Sequence, residues 1–251
     1  MFPILNIGPL AIQFPGLLII LGVYFSLLVA EKNSSRFHIN PNDISNLIFI
    51  YFLSTIIIGR LVYIFQYPTI FFQNPLSIIS INPNLIDFNT GLLFSLIVSY
   101  IFIQRKNLKS LNVLDALSLP ILVFLLFFFL SQLASGNTYG KPSDLPWAIE
   151  LWGTRRHPLQ IYYFLGISTI ILLFFRLRKK TYTSGILFVQ TSVSFLFLII
   201  ILDFFNGNPN NIISNFNLTQ LIAWVMMSLL IFLFQRNNAS TIPKNDTVID
   251  Q

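Results

Sequence analysis

Arg60 is the residue whose chemistry most needs an explanation. It lies inside the apolar stretch 44–66, and a charge within such a stretch is costly unless it is paired or functional. Asp203 lies near the end of another apolar stretch, 184–205, at a similar predicted depth. We therefore expect either a purely structural ion pair between Arg60 and Asp203, or an anion-binding Arg60 that Asp203 orients.

Residues 136–158 are the second group suited to chemistry. They combine glycines, prolines and tryptophans with Arg155, Arg156 and His157. Tryptophan favours membrane interfaces, and the planar guanidinium of arginine matches the geometry of a phosphate group. The segment is expected to form either a cradle for a phospholipid headgroup or an interfacial loop that tryptophan and arginine anchor to lipid phosphates.

Cysteine and histidine usage excludes several classes of site. The chain has no cysteine, so it forms no disulfide, holds no thiolate-bound metal and offers no cysteine nucleophile of its own. Its two histidines, His38 and His157, lack the cluster of three or four ligands that a metal site needs. The sequence therefore predicts no metal ion and no cofactor, and it leaves His157 as a base, a phosphate donor or a structural residue.

The elements that must position these residues are membrane helices. Of the 251 residues, 55% are hydrophobic and 10% are charged, whereas soluble proteins carry about 25% charged residues. A bilayer core needs about 20 apolar residues per helix, and the apolar runs are longer than barrel strands. The sequence predicts seven helical spans, at 10–30, 44–66, 88–104, 114–135, 159–175, 184–205 and 218–234. The predicted fold class is an all-α polytopic integral membrane bundle over residues 1–235, followed by a polar cytoplasmic tail at 236–251.

The basic residues predict the orientation of this bundle. With the N-terminus outside and the C-terminus inside, eleven of the fifteen Lys and Arg residues fall on the cytoplasmic side, as the positive-inside rule requires. The predicted outer segments 67–87 and 206–217 contain neither Lys nor Arg. Membrane topology therefore explains the net charge of +6, and binding to nucleic acid is not expected.

Several short motifs, taken in order along nearly the whole chain, resemble those of the prolipoprotein diacylglyceryl transferase family, which are integral membrane enzymes of bacteria. The most specific motif has the pattern Arg-His-Pro-x-Gln-x-Tyr and opens the fifth predicted span. The motifs are Ile7-Gly8-Pro9-Leu10-Ala11-Ile12 leading to Gly16, Gly59-Arg60 with Tyr63, Gly91-Leu92, Gly136 with Gly140, and Arg156-His157-Pro158-Leu159-Gln160-Ile161-Tyr162.

The resemblance implies a function. Members of the family move the diacylglyceryl group of phosphatidylglycerol onto the thiol of a lipobox cysteine in a prolipoprotein and release glycerol phosphate, in the bacterial cytoplasmic (inner) membrane. Because the substrate supplies the cysteine, a cysteine-free enzyme fits. The expected partners are phosphatidylglycerol or another anionic phospholipid, and a prolipoprotein signal segment. The residues expected to bind the phospholipid are Arg60, Arg156, His157, Tyr162 and Asp203.

Other positions depart from the pattern of the family. Where the family has arginine this chain has Phe129, Ile199 and Asn206; where it has glutamate, Asn137, Tyr163 and Asp203; where it has histidine, Asn89. The sequence therefore assigns no catalytic residue. Three functions stay open: the transferase, a catalytically degenerate homologue that binds anionic phospholipid or a lipoprotein signal segment, and a small membrane transporter. The transporter is disfavoured because the sequence has no visible internal repeat and no chain of intramembrane carboxylates.

Overall fold

The computed structural model describes residues 4–7, 10–73, 75, 85–177, 183–207, 211–213 and 216–241. Among these residues, seven helices are long and apolar enough to cross a membrane. In chain order the helices are α1 (Phe14–Ser34), α2 (Pro41–Gln66), the short α3 (Pro68–Gln73), α4 (Phe88–Arg105), α5 (Ser110–Ser135), α6 (Leu159–Leu177), α7 (Ile186–Asp203) and α8 (Leu218–Thr241). The predicted all-α polytopic membrane bundle is confirmed.

Short strands occupy the chain between or before these helices. They form antiparallel pairs, and each pair joins strands that are consecutive in the chain. The strands are β1 (Ile4–Ile7) with β2 (Leu10–Gln13), β3 (Ile149–Leu151) with β4 (Thr154–Arg156), and β5 (Asn211–Ile213) with β6 (Phe216–Asn217).

The helices at the two ends of the chain differ from the predicted spans. α1 begins at Phe14 because residues 10–13 pair with β1, and backbone groups bonded to a neighbouring strand cannot also start a helix. α8 continues to Thr241, so residues 236–241 of the predicted tail are helical. The rest of that tail, residues 242–251, lies outside the described residues.

Two compact units make up the chain, and the first comprises residues 30–116. Within it, α2 packs on α4 through small residues. A Cβ atom at Gly91 would collide with the backbone oxygen of Thr55, and one at Gly59 would lie 2.7 Å from a backbone oxygen of the segment before α4. The Thr55 hydroxyl donates to the Ser95 hydroxyl at 2.9 Å. Close approach at small residues with hydroxyl contacts is typical of membrane helix pairs, so both motif glycines have a packing role.

The start of α4 is capped by Asp87. Its carboxylate accepts hydrogen bonds from the backbone N–H and the hydroxyl of Thr90, at 3.1 and 3.0 Å, and from the Gln66 amide at 3.0 Å. These bonds, first among them that from the Thr90 backbone, hold the pKa of the Asp87 carboxyl below its usual value. The Asp87 N–H donates to the Gly59 carbonyl at 3.1 Å, so the same residue ties α4 to α2.

The second unit comprises residues 1–29 and 117–251. Serine hydroxyls link α1 to α5, because Ser26 donates to the Pro120 carbonyl at 3.0 Å and Ser131 donates to a carbonyl at the start of α1 at 2.9 Å. The buried apolar core of this unit is formed by α5, α6 and α7, through Leu122, Phe129, Leu159, Tyr163, Ile167, Ile170 and Leu202. The loops that follow α5 and α7 and precede α6 carry the candidate site.

Candidate functional site

Three loop segments, 139–142, 156–157 and 205–207, lie side by side and are joined by backbone hydrogen bonds of 2.8 to 3.1 Å. We refer to them as the platform. Gly140 lies in segment 139–142, which is bonded to both of the others. A Cβ atom at Gly140 would approach the His157 carbonyl oxygen to 2.6 Å. Only glycine allows the segments to come this close, which gives a physical reason for one of the motif glycines.

The chain reaches the platform through a helix end and a hairpin. Gly136 ends α5 with a φ of 76°, and the Asn137 N–H donates to the Gln132 carbonyl at 3.1 Å, as in a Schellman cap. At the tip of the β3–β4 hairpin, Trp152 and Gly153 have φ values of 55° and 73°. A bulky residue is rare at positive φ. The Trp152 indole N–H donates to the Gly136 carbonyl at 3.0 Å, which holds the hairpin against the helix end.

Arg156 ends β4 and is fixed by the platform. Its Nε donates to the Leu151 carbonyl at 3.3 Å and its Nη1 donates to the Gly140 carbonyl at 3.5 Å. The guanidinium carbon lies 4.8 Å from the centroid of the Tyr139 ring, at the distance of a cation–π contact. Because a guanidinium carries five N–H donors, Arg156 is held in one orientation and still has donors for an anionic ligand.

Trp147, Tyr162 and His157 form a chain of side chains joined by hydrogen bonds. The Trp147 indole N–H donates to Tyr162 Oη at 2.8 Å, and Tyr162 Oη lies 3.1 Å from His157 Nδ1. The His157 ring packs against Phe205, with ring centroids 5.1 Å apart. The platform, the first turn of α6 and the loop before β3 therefore meet at His157.

Gln160, from the same motif as His157 and Tyr162, is buried, with 1% of its surface exposed. Its Nε2 donates to the Asn137 carbonyl, and since a carbonyl can only accept, this bond fixes which end of the amide is the oxygen. The Oε1 atom is buried and has no hydrogen-bond partner among the described residues. Gln160 therefore offers one acceptor to a ligand or water that carries a donor.

Asp203, the last residue of α7, is 2% exposed. Its Oδ1 accepts from Asn206 Nδ2 at 2.9 Å, and its Oδ2 accepts from Asn217 Nδ2 at 2.5 Å. Two side-chain amides thus hold this carboxylate at the C-terminal end of α7. Among the described residues, no three His, Asp or Glu side chains are grouped so that they could hold a metal ion.

Arg60 belongs to the other unit. Its Nη1 donates to the Leu85 carbonyl at 2.8 Å, and its guanidinium carbon lies 5.5 Å from the centroid of the Phe71 ring. Aromatic rings surround the end of α2, since Tyr63 contacts both Tyr67 and Phe71. The ion pair between Arg60 and Asp203 stays a prediction, as does a shared role of Arg60 with the platform residues.

Positions that depart from the pattern of the family contact one another. Phe129, 7% exposed, stacks on Tyr163 with centroids 4.1 Å apart and planes within 9°, and Ile199 packs on the same core. Asn206 donates to Asp203. The resemblance implies arginine at Phe129 and Asn206 and glutamate at Tyr163 and Asp203, so each of these two contacts joins one position of either kind. In this chain the first pair is aromatic, and the second keeps one carboxylate and an amide.

The structure brings together Arg156, His157 and Tyr162 as predicted. Sequence reasoning missed the bond from Trp147 to Tyr162 and the buried, unbonded oxygen of Gln160. A signal for the first was present: an interfacial tryptophan and a motif tyrosine both carry polar groups that seek partners when partly buried. Nothing in the sequence indicated the second.

Comparison with known proteins agrees with the motifs. A sequence profile described as prolipoprotein diacylglyceryl transferase matches residues 3–236. A protein of Bordetella parapertussis named phosphatidylglycerol–prolipoprotein diacylglyceryl transferase is 31% identical over 176 residues, which is 67% of each chain. A protein of the same name from Bordetella avium is 30% identical over 202 residues, covering 76% of this chain and 75% of the relative. Another from Finegoldia magna is 31% identical over 173 residues, covering 67% and 69%.

Proposed function

The chain belongs to the prolipoprotein diacylglyceryl transferase family, and from this premise we propose that it moves the diacylglyceryl group of phosphatidylglycerol onto the lipobox cysteine of a prolipoprotein. The observation that carries the proposal is the fixed arrangement of Arg156, His157 and Tyr162 at the platform. These residues come from the most specific motif of the sequence.

The chemistry needs what the platform offers. The cysteine sulfur forms a bond to the terminal glycerol carbon of the diacylglyceryl group, and the bond from that carbon to the phosphate oxygen breaks. The oxygen keeps the electron pair, glycerol phosphate leaves as an anion, and the proton of the thiol passes to water or to this departing anion. Donors that face a departing phosphate stabilise its charge, and charge-assisted bonds from a guanidinium are short and strong. Arg156, which keeps free donors in a fixed orientation, is suited to this task.

The membrane setting supports the same proposal. The protein is a multi-pass membrane protein. We place it in the bacterial cytoplasmic membrane with the N-terminus outside, because eleven of its fifteen basic residues then lie inside. In this orientation the platform lies at the outer face, where a secreted prolipoprotein would present its cysteine.

The proposal is tested with purified protein, phosphatidylglycerol and a lipobox peptide. We expect release of glycerol phosphate that requires the peptide cysteine and falls strongly in Arg156→Gln. Lys109→Gln is the matched control, because Lys109 is an exposed cation on the predicted opposite face.

The expected rate is a separate prediction. Asn89, Phe129 and Ile199 lack the groups that the resemblance to the family implies, and losing a positioned acid–base group costs about 10² to 10⁴ in rate. We therefore expect slower turnover than by an intact family member, and equal turnover would show that other residues substitute.

A second function has its own observation. The stack of Phe129 on Tyr163, with Ile199 on the same core, replaces charged groups of the family with apolar packing. This favours a homologue that binds anionic phospholipid or a lipoprotein signal segment and does not transfer. Such a protein would bind phosphatidylglycerol in preference to a zwitterionic lipid, would lose this preference in Arg156→Gln, and would release no glycerol phosphate.

A further inference from the structure

The side-chain bonds around Tyr162 constrain where its proton lies. An indole N–H can only donate, so the bond from Trp147 at 2.8 Å makes Tyr162 Oη an acceptor there. The hydroxyl proton then needs an acceptor of its own. Among the described residues, the other polar atom bonded to this hydroxyl is His157 Nδ1, at 3.1 Å, which can accept the hydroxyl proton when Nδ1 itself carries none.

The proton on Tyr162 decides the form of His157. If the hydroxyl donates to Nδ1, then Nδ1 carries no proton in the neutral ring, and the ring proton lies on Nε2. If the ring becomes a cation, both nitrogens carry protons. Nε2 is thus an N–H donor in either protonation state, and it makes no hydrogen bond within the described part of the chain.

We infer that Trp147 is a positioning residue that, through Tyr162, holds His157 as a donor from Nε2, and that this donor binds a phosphate oxygen of a phospholipid headgroup. The inference rests on the proposed function for the identity of the ligand. It also decides between the roles that the sequence left open for His157. A nitrogen that already carries a proton cannot accept one from a thiol, so His157 does not serve as the base through Nε2.

The location of Trp147 supports a positioning role. Trp147 is 57% exposed within the protein, so packing against other residues explains little of its place, yet its N–H makes a short bond into the site. Trp152 is a natural comparison, because it is a second exposed tryptophan of the same loop, 69% exposed, whose N–H bonds to the Gly136 carbonyl instead.

The tautomer can be read by nitrogen NMR. The chain has two histidines, so a His38→Asn background leaves His157 as the one labelled ring. Asparagine suits position 38, whose φ is 57°, because it tolerates the left-handed region. At about pH 8, above the usual histidine pKa of about 6.5, we expect the ¹⁵N signals of an unprotonated Nδ1 and a protonated Nε2. A protonated Nδ1 in the neutral ring would overturn the inference.

The variants separate positioning from folding. Trp147→Phe frees Tyr162 Oη to accept a hydrogen bond from Nδ1–H, so the tautomer protonated on Nδ1 also becomes favourable, and both ring nitrogens should move toward the averaged signals of a tautomer mixture. Tyr162→Phe should show the same change. Trp152→Phe, which loses an indole N–H outside this chain of bonds, should leave the signals of His157 unchanged. If Trp147→Phe has the signals of the parent protein, Trp147 does not position His157.

Ligand titrations identify the source of the phosphate. Phosphatidylglycerol in detergent should shift the Nε2 proton signal, and diacylglycerol, which lacks the phosphate, should not. A shift with inorganic phosphate alone would assign the donor to free phosphate, and no shift with any of the three would overturn the donor role. Because the tautomer is measured without turnover, an inactive protein with the expected tautomer would contradict the proposed function and not the positioning by Trp147.

Discussion

Oε1 of Gln160 is buried and accepts no hydrogen bond from the described residues. A buried acceptor that also lacks a donor from a ligand or water costs a protein about 1 to 3 kcal/mol. The other end of the amide is bonded to Asn137. A donor on a bound ligand or a water molecule would remove the cost, which suits a residue at the edge of a binding site.

At the same scale, Asp87 predicts how stability responds to acid. Its pKa is below its usual value in the folded protein, so the ionised carboxylate contributes stability above about pH 4, the usual range of an aspartate. This contribution is lost as the pH falls through the folded-state pKa. Asp87→Asn keeps a capping side chain without a titrating group. Its melting temperature should therefore fall less than that of the parent protein between about pH 5 and pH 3, and an equal fall would contradict the assignment.

Single residues also show the limit of sequence reasoning. The motif identified Arg156, His157 and Tyr162, because rare residue types at fixed spacing carry information. It did not identify Trp147 as their partner, since that bond depends on how a loop folds back onto the first turn of α6. The carboxylate of Asp203 was expected to orient an arginine, and the partners seen within its own unit are amides.

At the scale of elements, the contact of α2 with α4 depends on glycine at two positions. Gly91→Ala would place a methyl group against backbone, which has no means of giving way, and overpacking costs about 1 to 3 kcal/mol. Gly16→Ala is the matched control, because no atom lies within 4 Å of a Cβ atom there and alanine favours a helix by about 0.5 to 1 kcal/mol. Thermal unfolding should show a loss for the first variant and none for the second. Equal stability would contradict the close packing.

A second prediction concerns the pair formed by α5 and α6. Phe129→Arg buries a charge in an apolar core and should be strongly destabilising, as should Tyr163→Glu. The two rings stack, so the charges of the double variant would lie together. We expect the double variant to be more stable than the sum of the single effects, by about 0.5 to 3 kcal/mol in a double-mutant cycle. Strict additivity would show that the positions do not communicate.

The elements themselves were predictable because hydropathy reports directly on membrane spans. The predicted starts of the third, fifth and seventh spans coincide with the observed helix starts at Phe88, Leu159 and Leu218. Helix packing was not predictable in the same way. Lipid-facing and core-facing side chains are both apolar, so sequence periodicity does not mark the buried face. The strands β3 and β4 were missed because they are too short for a pattern.

At the scale of the whole molecule, orientation remains a prediction from charge. Reporter fusions after Gln104 and Phe234 should be cytoplasmic, and a fusion after Gly207 should be external, because Lys and Arg cluster beside the first two positions and are absent from 206–217. The location of each fusion is measured with alkaline phosphatase, which is active only outside the cytoplasm, and with a second reporter enzyme that is active only in the cytoplasm. A reversed result at any of the three positions would overturn the count of seven spans, and a reversed result at Gly207 would place the platform on the other face.

The central claim is that this chain transfers a diacylglyceryl group to a lipobox cysteine, and mass spectrometry of a reporter prolipoprotein tests it most directly. The host is a bacterium depleted of its own transferase that produces this chain. We predict a fraction of reporter whose cysteine carries the diacylglyceryl mass, smaller than with an intact family member and lost in Arg156→Gln and in a reporter with serine at the lipobox position. An unmodified reporter, in cells whose membranes contain this chain in the same amount as the intact enzyme, would contradict the claim.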